Sequence, residues 1–112
     1  MADILIFQAD RNQERQALPG QRVLIQLPEN PTTGYQWHIE AFDQRVLTAS
    51  GSDFTASSGG LLGAGGQRTF VFTALAPGST AVRLVYRRSW EPKTQAGEAF
   101  EVRIQVRMKA QP

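Results

Sequence analysis

A run near the end of the chain alternates strictly between apolar and polar side chains. It extends from Phe100 to Met108 and reads Phe-Glu-Val-Arg-Ile-Gln-Val-Arg-Met. Successive side chains of a β-strand point to opposite faces, so this period of two predicts a strand with one buried and one solvated face. The same period recurs through most of the chain, whereas the period of an amphipathic helix is almost absent. The pattern therefore predicts an all-β protein.

Several further segments show the signature of short strands. They are separated by turn-forming residues such as Pro19-Gly20 and Pro77-Gly78. About seven short strands with turns between them are typical of a sandwich, so we predict an immunoglobulin-like antiparallel β-sandwich, with residues 1–112 forming a single domain. The other predicted strands are Ile4 to Phe7, Val23 to Leu27, Tyr35 to Ile39, a weak strand within residues 45–57, Phe70 to Ala74, and Val82 to Tyr86.

Composition argues against several classes of function. The chain has no cysteine and a single histidine, His38, which excludes disulfides, thiolate metal sites and multi-histidine zinc sites. The net charge of +2 is small for a nucleic-acid-binding protein, and no apolar stretch approaches the ~18 residues needed to span a bilayer. We therefore expect a monomer with no metal, cofactor, nucleic-acid or membrane partner. No signal peptide is visible, so the location stays open between the cytoplasm and, if a leader was removed, the periplasm or exterior.

Neighbouring aromatic residues of the predicted third strand both have structural interpretations. We expect Trp37 to be a core residue, as the buried tryptophan is in immunoglobulin-like sandwiches. His38 would lie on the opposite face as a solvated side chain. Catalysis through His38 would need an orienting acid and a nucleophile, but the chain has no Gly-X-Ser-X-Gly motif. We therefore predict that the chain is not an enzyme and has no catalytic residue.

Connections of unusual composition alternate with ordinary turns along the chain. They are residues 30–34, 57–66 and 87–97. If successive strands of a sandwich run in opposite directions, every second connection reaches the same end, so these three loops would lie together. A rigid sandwich with distinctive loops at one end is typical of a binding module. Each loop also has a purely structural interpretation. The first could be a turn shaped by Pro31 and Gly34, the second a flexible connector, and the third a segment whose tryptophan covers the end of the sandwich.

Each of these loops contains a short motif. The first is Asn30-Pro31-Thr32-Thr33-Gly34-Tyr35, the second Gly63-Ala64-Gly65-Gly66 and the third Arg88-Ser89-Trp90. In order and spacing they resemble the Asn-Pro-Thr-Thr-Gly-aromatic, Gly-X-Gly-Gly and Arg-Pro-aromatic motifs of the chagasin family, and the resemblance covers essentially the whole chain. Ser89 replaces the family's proline, which predicts a more flexible third loop. Arg87 is the alternative candidate for the family's arginine, although adjacency to Ser89 favours Arg88.

The resemblance implies a protein inhibitor of papain-like cysteine peptidases, such as papain and cathepsin L-like enzymes. Its three loops would enter the active-site cleft as a wedge and block it reversibly, without a covalent bond. Thr32 and Thr33 would face the catalytic cysteine, and the glycine-rich loop would lie along the non-primed side, where backbone can pair with backbone. Trp90 and its arginine would occupy the primed side. The alternative is an immunoglobulin-like adhesion or scaffolding module whose loops bind another protein or a carbohydrate.

Overall fold

The regular structure of the chain is almost entirely β. The computed structural model describes residues 2–56, 65–90 and 97–108. Within these ranges the chain forms eight strands and two short 3₁₀ turns, Gln8–Asp10 and Pro31–Thr33. The strands are β1 (Ile4–Phe7), β2 (Glu14–Ala17), β3 (Arg22–Glu29), β4 (Tyr35–Ala41), β5 (Leu47–Ala56), β6 (Gly66–Ala74), β7 (Gly78–Arg88) and β8 (Glu98–Val106). In the ranges described, no helix is long and apolar enough to cross a membrane.

The strands form two sheets of four. One sheet has the order β1-β3-β6-β5, and the other has the order β2-β8-β7-β4. The apolar residues of the alternating pattern lie between the sheets, which confirms the predicted all-β sandwich. Trp37 is also in the core, where only 4% of its surface is exposed and its indole N–H donates to the Pro28 carbonyl at 2.9 Å. The largest fully buried side chains are Ile6, Val23, Ile25, Leu27, Leu47, Phe72, Val82, Leu84, Phe100, Val102 and Ile104.

The first strand of the sandwich is divided, and the sequence pattern does not predict its second half. Strand β1 lies at the edge of one sheet, and the chain then crosses through the turn at Gln8–Asp10 and continues as β2 at the edge of the other. Only Ala17 of β2 is buried, so the segment shows no clear alternation. Both halves pair in parallel, β1 with β3 and β2 with β8, so the sheets are not purely antiparallel.

The strand boundaries differ slightly from those predicted. The weak strand within residues 45–57 is β5, an edge strand on which Leu47 is the only buried residue. The last strand ends at Val106, and Met108 lies beyond it with 73% of its surface exposed. The paired residues Glu29 and Gly66, Tyr35 and Arg88, and Tyr86 and Glu98 bound the three unusual loops, so the bases of those loops lie together at one end of the sandwich.

Candidate functional site

The first loop, residues 30–34, is a capped 3₁₀ turn. Asn30 has an extended backbone (φ −122°, ψ 101°), as expected for a residue before proline, and its side-chain oxygen accepts a hydrogen bond from the Thr32 amide at 3.1 Å. Pro31 occupies the first position of the turn, where the missing N–H costs nothing. Gly34 closes the turn at φ 82°, a left-handed conformation that favours glycine. The local sequence therefore specifies the shape of this loop.

The threonine pair is part of the same hydrogen-bond network. The Thr32 hydroxyl donates to the Asn30 side-chain oxygen at 2.7 Å, and the Thr33 hydroxyl donates to the Asn30 carbonyl at 2.8 Å. The Thr33 hydroxyl oxygen in turn accepts the Tyr35 amide at 3.2 Å. Both side chains are exposed. The threonines thus have an internal role in addition to the outward role that the resemblance implies, and local side-chain-to-backbone bonding of this kind is common for threonine in turns.

The third loop packs against the first through Trp90. An added Cβ at Gly34 would lie 2.7 Å from Cη2 of the Trp90 ring, so the indole occupies the space next to this glycine. Arg88 lies over both aromatic rings, with its guanidinium 4.7 Å from the Tyr35 centroid and 5.9 Å from the Trp90 centroid. Trp90 is nevertheless 73% exposed. It is therefore held at one edge while most of the ring remains accessible to a partner.

The second loop meets the first from the other direction. Gly65 has φ 75°, and an added Cβ there would lie 3.1 Å from the Glu29 carbonyl and 3.5 Å from the Asn30 Cβ. Gly66 belongs to β6 rather than to the loop. Gly63 and Ala64, which the resemblance also places at the site, lie outside the described residues. The first loop thus has Gly65 of the second loop at one end and Trp90 of the third loop at the other.

The base of the site contains a row of three aromatic rings, of which sequence reasoning assigned only Tyr35 to the site. Tyr86 lies between Tyr35 and Trp37, with ring centroids 5.4 and 4.9 Å away. Its hydroxyl oxygen accepts a hydrogen bond from the Asn30 amide at 3.2 Å. The signal was present in the sequence, because Tyr86 is in phase with buried residues of its strand and a buried phenol needs a polar partner.

The two arginines at the end of β7 have different environments. Arg88 lies with Tyr35 and Trp90, as described above. Arg87 is half-buried on the outer face of its sheet, near His38. Within the described ranges, Arg87 Nε and His38 Nε2 are buried and have no hydrogen-bond partner. The expectation that His38 is solvated is therefore wrong, because its side chain is half-buried on this face.

Burial of His38 makes the stability of the protein dependent on pH. Desolvation, followed by the positive charge of Arg87, lowers the pKa of His38 below 6.5; Glu29 opposes this shift and Arg68 adds to it. Because the unfolded chain then binds the proton more readily, the free energy of unfolding is expected to fall as the pH drops below about 6.5 and to level off below the pKa of the folded state. Urea unfolding between pH 7.5 and 5 would measure this slope.

The control for this prediction is His38→Gln, which removes the titrating group. The pKa of Asp43 is also lowered, from 3.8, chiefly by hydrogen bonds from Arg45, so its stabilising effect is lost only at more acidic pH. The two effects therefore occupy separate pH windows. An identical pH slope for the wild type and His38→Gln would show that His38 does not contribute.

The chemistry of this end of the molecule is that of a binding surface. Among the described residues, no group of three or more His, Cys, Asp or Glu side chains could hold a metal ion. A rigid β-sandwich that presents adjoining loops at one end, with an exposed tryptophan and a neighbouring arginine, defines a protein-binding module.

Comparison with known proteins identifies the family. The chain belongs to the chagasin family, since the model described as "Chagasin family peptidase inhibitor I42" matches residues 16–104. Chagasin of Trypanosoma cruzi is 38% identical over 92 residues, which are 78% of this chain and 83% of the relative. Amoebiasin-1 of Entamoeba histolytica is 30% identical over 89 residues, with the same coverage. The family is one of inhibitors, which confirms the resemblance and the prediction that the chain is not an enzyme.

A solved structure supports the fold. The crystal structure of EhICP2, a cysteine protease inhibitor from Entamoeba histolytica, has a TM-score of 0.82 with this chain at 24% identity. The match covers 93% of this chain and 95% of that one. The two chains therefore share their architecture over nearly their whole lengths.

Proposed function

We propose that this chain inhibits papain-like cysteine peptidases reversibly, by placing its three loops in the active-site cleft. The observation that carries the proposal is the arrangement of the first loop, which lies between Gly65 and Trp90 at one end of the sandwich. Residues 30–34 would lie over the catalytic cysteine. The glycine-rich loop, including Gly63 to Gly66, would lie on the non-primed side, and Trp90 with Arg88 on the primed side.

The geometry of the first loop explains why it would block the cleft without being cleaved. The Asn30 carbonyl, which precedes Pro31, already accepts hydrogen bonds from the Thr33 amide at 3.2 Å and the Thr33 hydroxyl at 2.8 Å. The next carbonyl, that of Pro31, accepts the Gly34 amide at 3.0 Å. A scissile carbonyl must instead face the nucleophile and the donors of the oxyanion hole. These carbonyls are turned into the loop, so the peptidase would meet its side chains.

The contacts between the loops favour tight binding. An inhibitor interface of this kind buries on the order of 1,600 Å² in total, and loops that are ordered before binding lose less conformational entropy. Proline at position 89 would restrict the third loop directly. Here Arg88 and Trp90 restrict it through their contacts with Tyr35 and Gly34. This packing offsets part of the flexibility expected from Ser89.

Titration of the protein into papain, followed with a fluorogenic peptide, tests the proposal. We expect hydrolysis to fall to a plateau at one inhibitor per active site and to recover on dilution, with the inhibitor intact by mass spectrometry. Trypsin provides the control, since its cleft has a different shape and its activity should not change. Undiminished papain activity at micromolar inhibitor would rule the proposal out and leave an adhesion or scaffolding role.

Removal of the Thr33 hydroxyl tests whether loop shape determines affinity. Thr33→Val keeps the shape of the side chain but removes a donor to Asn30 and an acceptor for Tyr35. We expect inhibition to weaken by about 1 kcal/mol, roughly fivefold. The Tyr35 amide of the free variant should also exchange faster with solvent, as measured by hydrogen exchange.

Thr33→Ser is the matched control, because it keeps the hydroxyl, and it should retain most of the affinity. Weaker inhibition by Thr33→Val with unchanged Tyr35 exchange would mean that the hydroxyl acts on the peptidase directly and not through the loop.

A further inference from the structure

An ion pair between the buried Glu29 and the partly exposed Arg68 lies next to the bases of the first two loops. Glu29, the last residue of β3, is 3% exposed. Its carboxylate accepts hydrogen bonds from the Arg68 guanidinium. Nη2 lies 2.8 Å from Oε2, and Nε lies 3.2 Å from Oε2 and 3.3 Å from Oε1. The other oxygen, Oε1, accepts the Trp37 amide at 2.9 Å. The carboxylate is therefore fully hydrogen-bonded although it is removed from water.

The position of this pair relates it to the site rather than to the core. Asn30, the first residue of the first loop, follows Glu29 immediately, and Trp37 lies on β4, the strand that leaves that loop. Arg68 lies on β6, just after Gly66, and its guanidinium is 5.7 Å from the centroid of the Phe54 ring on β5. One carboxylate thus connects both strands that flank the first loop with β6, and Arg68 extends the connection to β5.

The bond to Trp37 supplies a connection that backbone pairing does not. Strands β3 and β6 are joined by a regular ladder in one sheet, but β3 and β4 belong to different sheets. The Glu29 side chain bridges them at the point where the first loop begins. A buried ion pair is weak evidence for stability, because an apolar pair of similar volume is often at least as stable. The bidentate hydrogen bonds instead fix the relative orientation of the two side chains, which the contacts of an apolar pair do not.

We propose that the Glu29–Arg68 pair is a positioning device that fixes the first loop relative to the second and so sets the affinity of the inhibitor. Neither residue would touch the peptidase. They act through Asn30 and Gly65, the loop residues that adjoin Glu29. This inference rests on the proposed inhibition of cysteine peptidases, and its test separates the two.

The test compares substitutions in two ion pairs, one at each end of β3. Glu29→Gln keeps an acceptor for the Trp37 amide but loses the charge, and Arg68→Lys keeps the charge but loses the bidentate fork. Each is expected to raise the inhibition constant about tenfold at temperatures well below unfolding, since hydrogen bonds to charged groups are the strong ones. The amides of Thr32 and Thr33 should exchange faster in the free variants.

The controls are Asp3→Asn and Arg22→Lys. Asp3 and Arg22 form an exposed bidentate pair at the opposite end of β3. Arg22 Nε lies 3.0 Å from Asp3 Oδ1, and Arg22 Nη2 lies 2.7 Å from Asp3 Oδ2. Both control variants should leave the inhibition constant and the loop exchange unchanged. A purely structural role of Glu29 would lower the unfolding temperature but leave the affinity of the folded protein intact, and that result would overturn the proposal.

Further measurements keep the outcomes distinct. If the wild type does not inhibit papain, the proposed function fails, and the exchange of the loop amides still decides whether the pair positions the loops. If neither Glu29→Gln nor Arg68→Lys folds, hydrogen exchange of the Trp37 amide in the wild-type protein tests the proposal instead. If this amide exchanges only when the whole protein unfolds, Glu29 forms a fixed bridge between the sheets and the proposal is supported. Rapid exchange of this amide in the folded protein would overturn the proposal.

Discussion

Replacement of Trp90 by alanine is expected to weaken inhibition of papain by about 2 kcal/mol or more, roughly 30-fold. Trp90 is 73% exposed in the free protein, yet its ring edge rests against Gly34. A large, rigid ring that is already held in place loses little entropy on binding, which is the property of residues that dominate interfaces. Truncation would also remove one of the two aromatic contacts of Arg88, whose guanidinium would keep only its contact with Tyr35.

Met108→Ala provides a closely matched control. Met108 has the same exposed fraction as Trp90, 73%, but lies beyond the end of β8 at the opposite end of the sandwich. We expect Met108→Ala to leave the inhibition constant unchanged. Neither variant should change the unfolding temperature by more than a few degrees, since neither side chain is buried. Equal inhibition by Trp90→Ala and wild type would show that Trp90 does not bind the peptidase and only covers the end of the sandwich.

The fold was predictable because its core follows a simple period. Val23, Ile25 and Leu27 alternate with the less buried Leu24 and Gln26, and all three are fully buried in the structure. The same reasoning could not find β2, because only Ala17 among its residues is buried. Parallel pairing of the divided first strand was also out of reach, since periodicity gives the face of a strand but not its partner.

The alternating pattern also indicates the Glu29–Arg68 ion pair, which was not among the predictions. Glu29 is in phase with the buried residues of β3, and Arg68 is in phase with Phe70 and Phe72. A charged residue at an inward position predicts a buried partner, because an unpaired charge in the core is too costly. Two such residues of opposite charge, each next to a proposed loop, predict the ion pair.

Other features of the site depend on tertiary structure and could not be read from the sequence. The motifs identified the loops, but the packing of Trp90 on Gly34 joins residues that are far apart in the chain. The same holds for the hydrogen bond between the Asn30 amide and the Tyr86 hydroxyl. Spacing shows that a turn needs glycine at Gly34 but not which side chain fills the space beside it.

Gly66→Val is expected to destabilise the fold by about 2 kcal/mol or more, mainly through overpacking. The backbone of Gly66 does not require glycine, but an added Cβ would overlap the Thr55 carbonyl oxygen and lie 2.9 Å from both the Ala56 Cα and the Phe54 Cζ. Backbone atoms of a paired strand cannot move aside cheaply, so the end of the β5–β6 pair would open. The unfolding temperature should fall by about 10 °C, as calorimetry would measure.

Gly20→Ala separates this steric effect from backbone strain. Gly20 has φ 89° with nothing within 4 Å of an added Cβ, so its substitution adds strain alone and is expected to cost about 1 kcal/mol. If Gly66 served only to let a peptidase backbone approach, Gly66→Val would weaken inhibition and leave the unfolding temperature unchanged. The structure favours the opposite order of effects. Gly65 and Gly66 are then required first by the protein's own folding, one for its left-handed backbone and one for close strand approach, and their proposed role in binding the peptidase comes second.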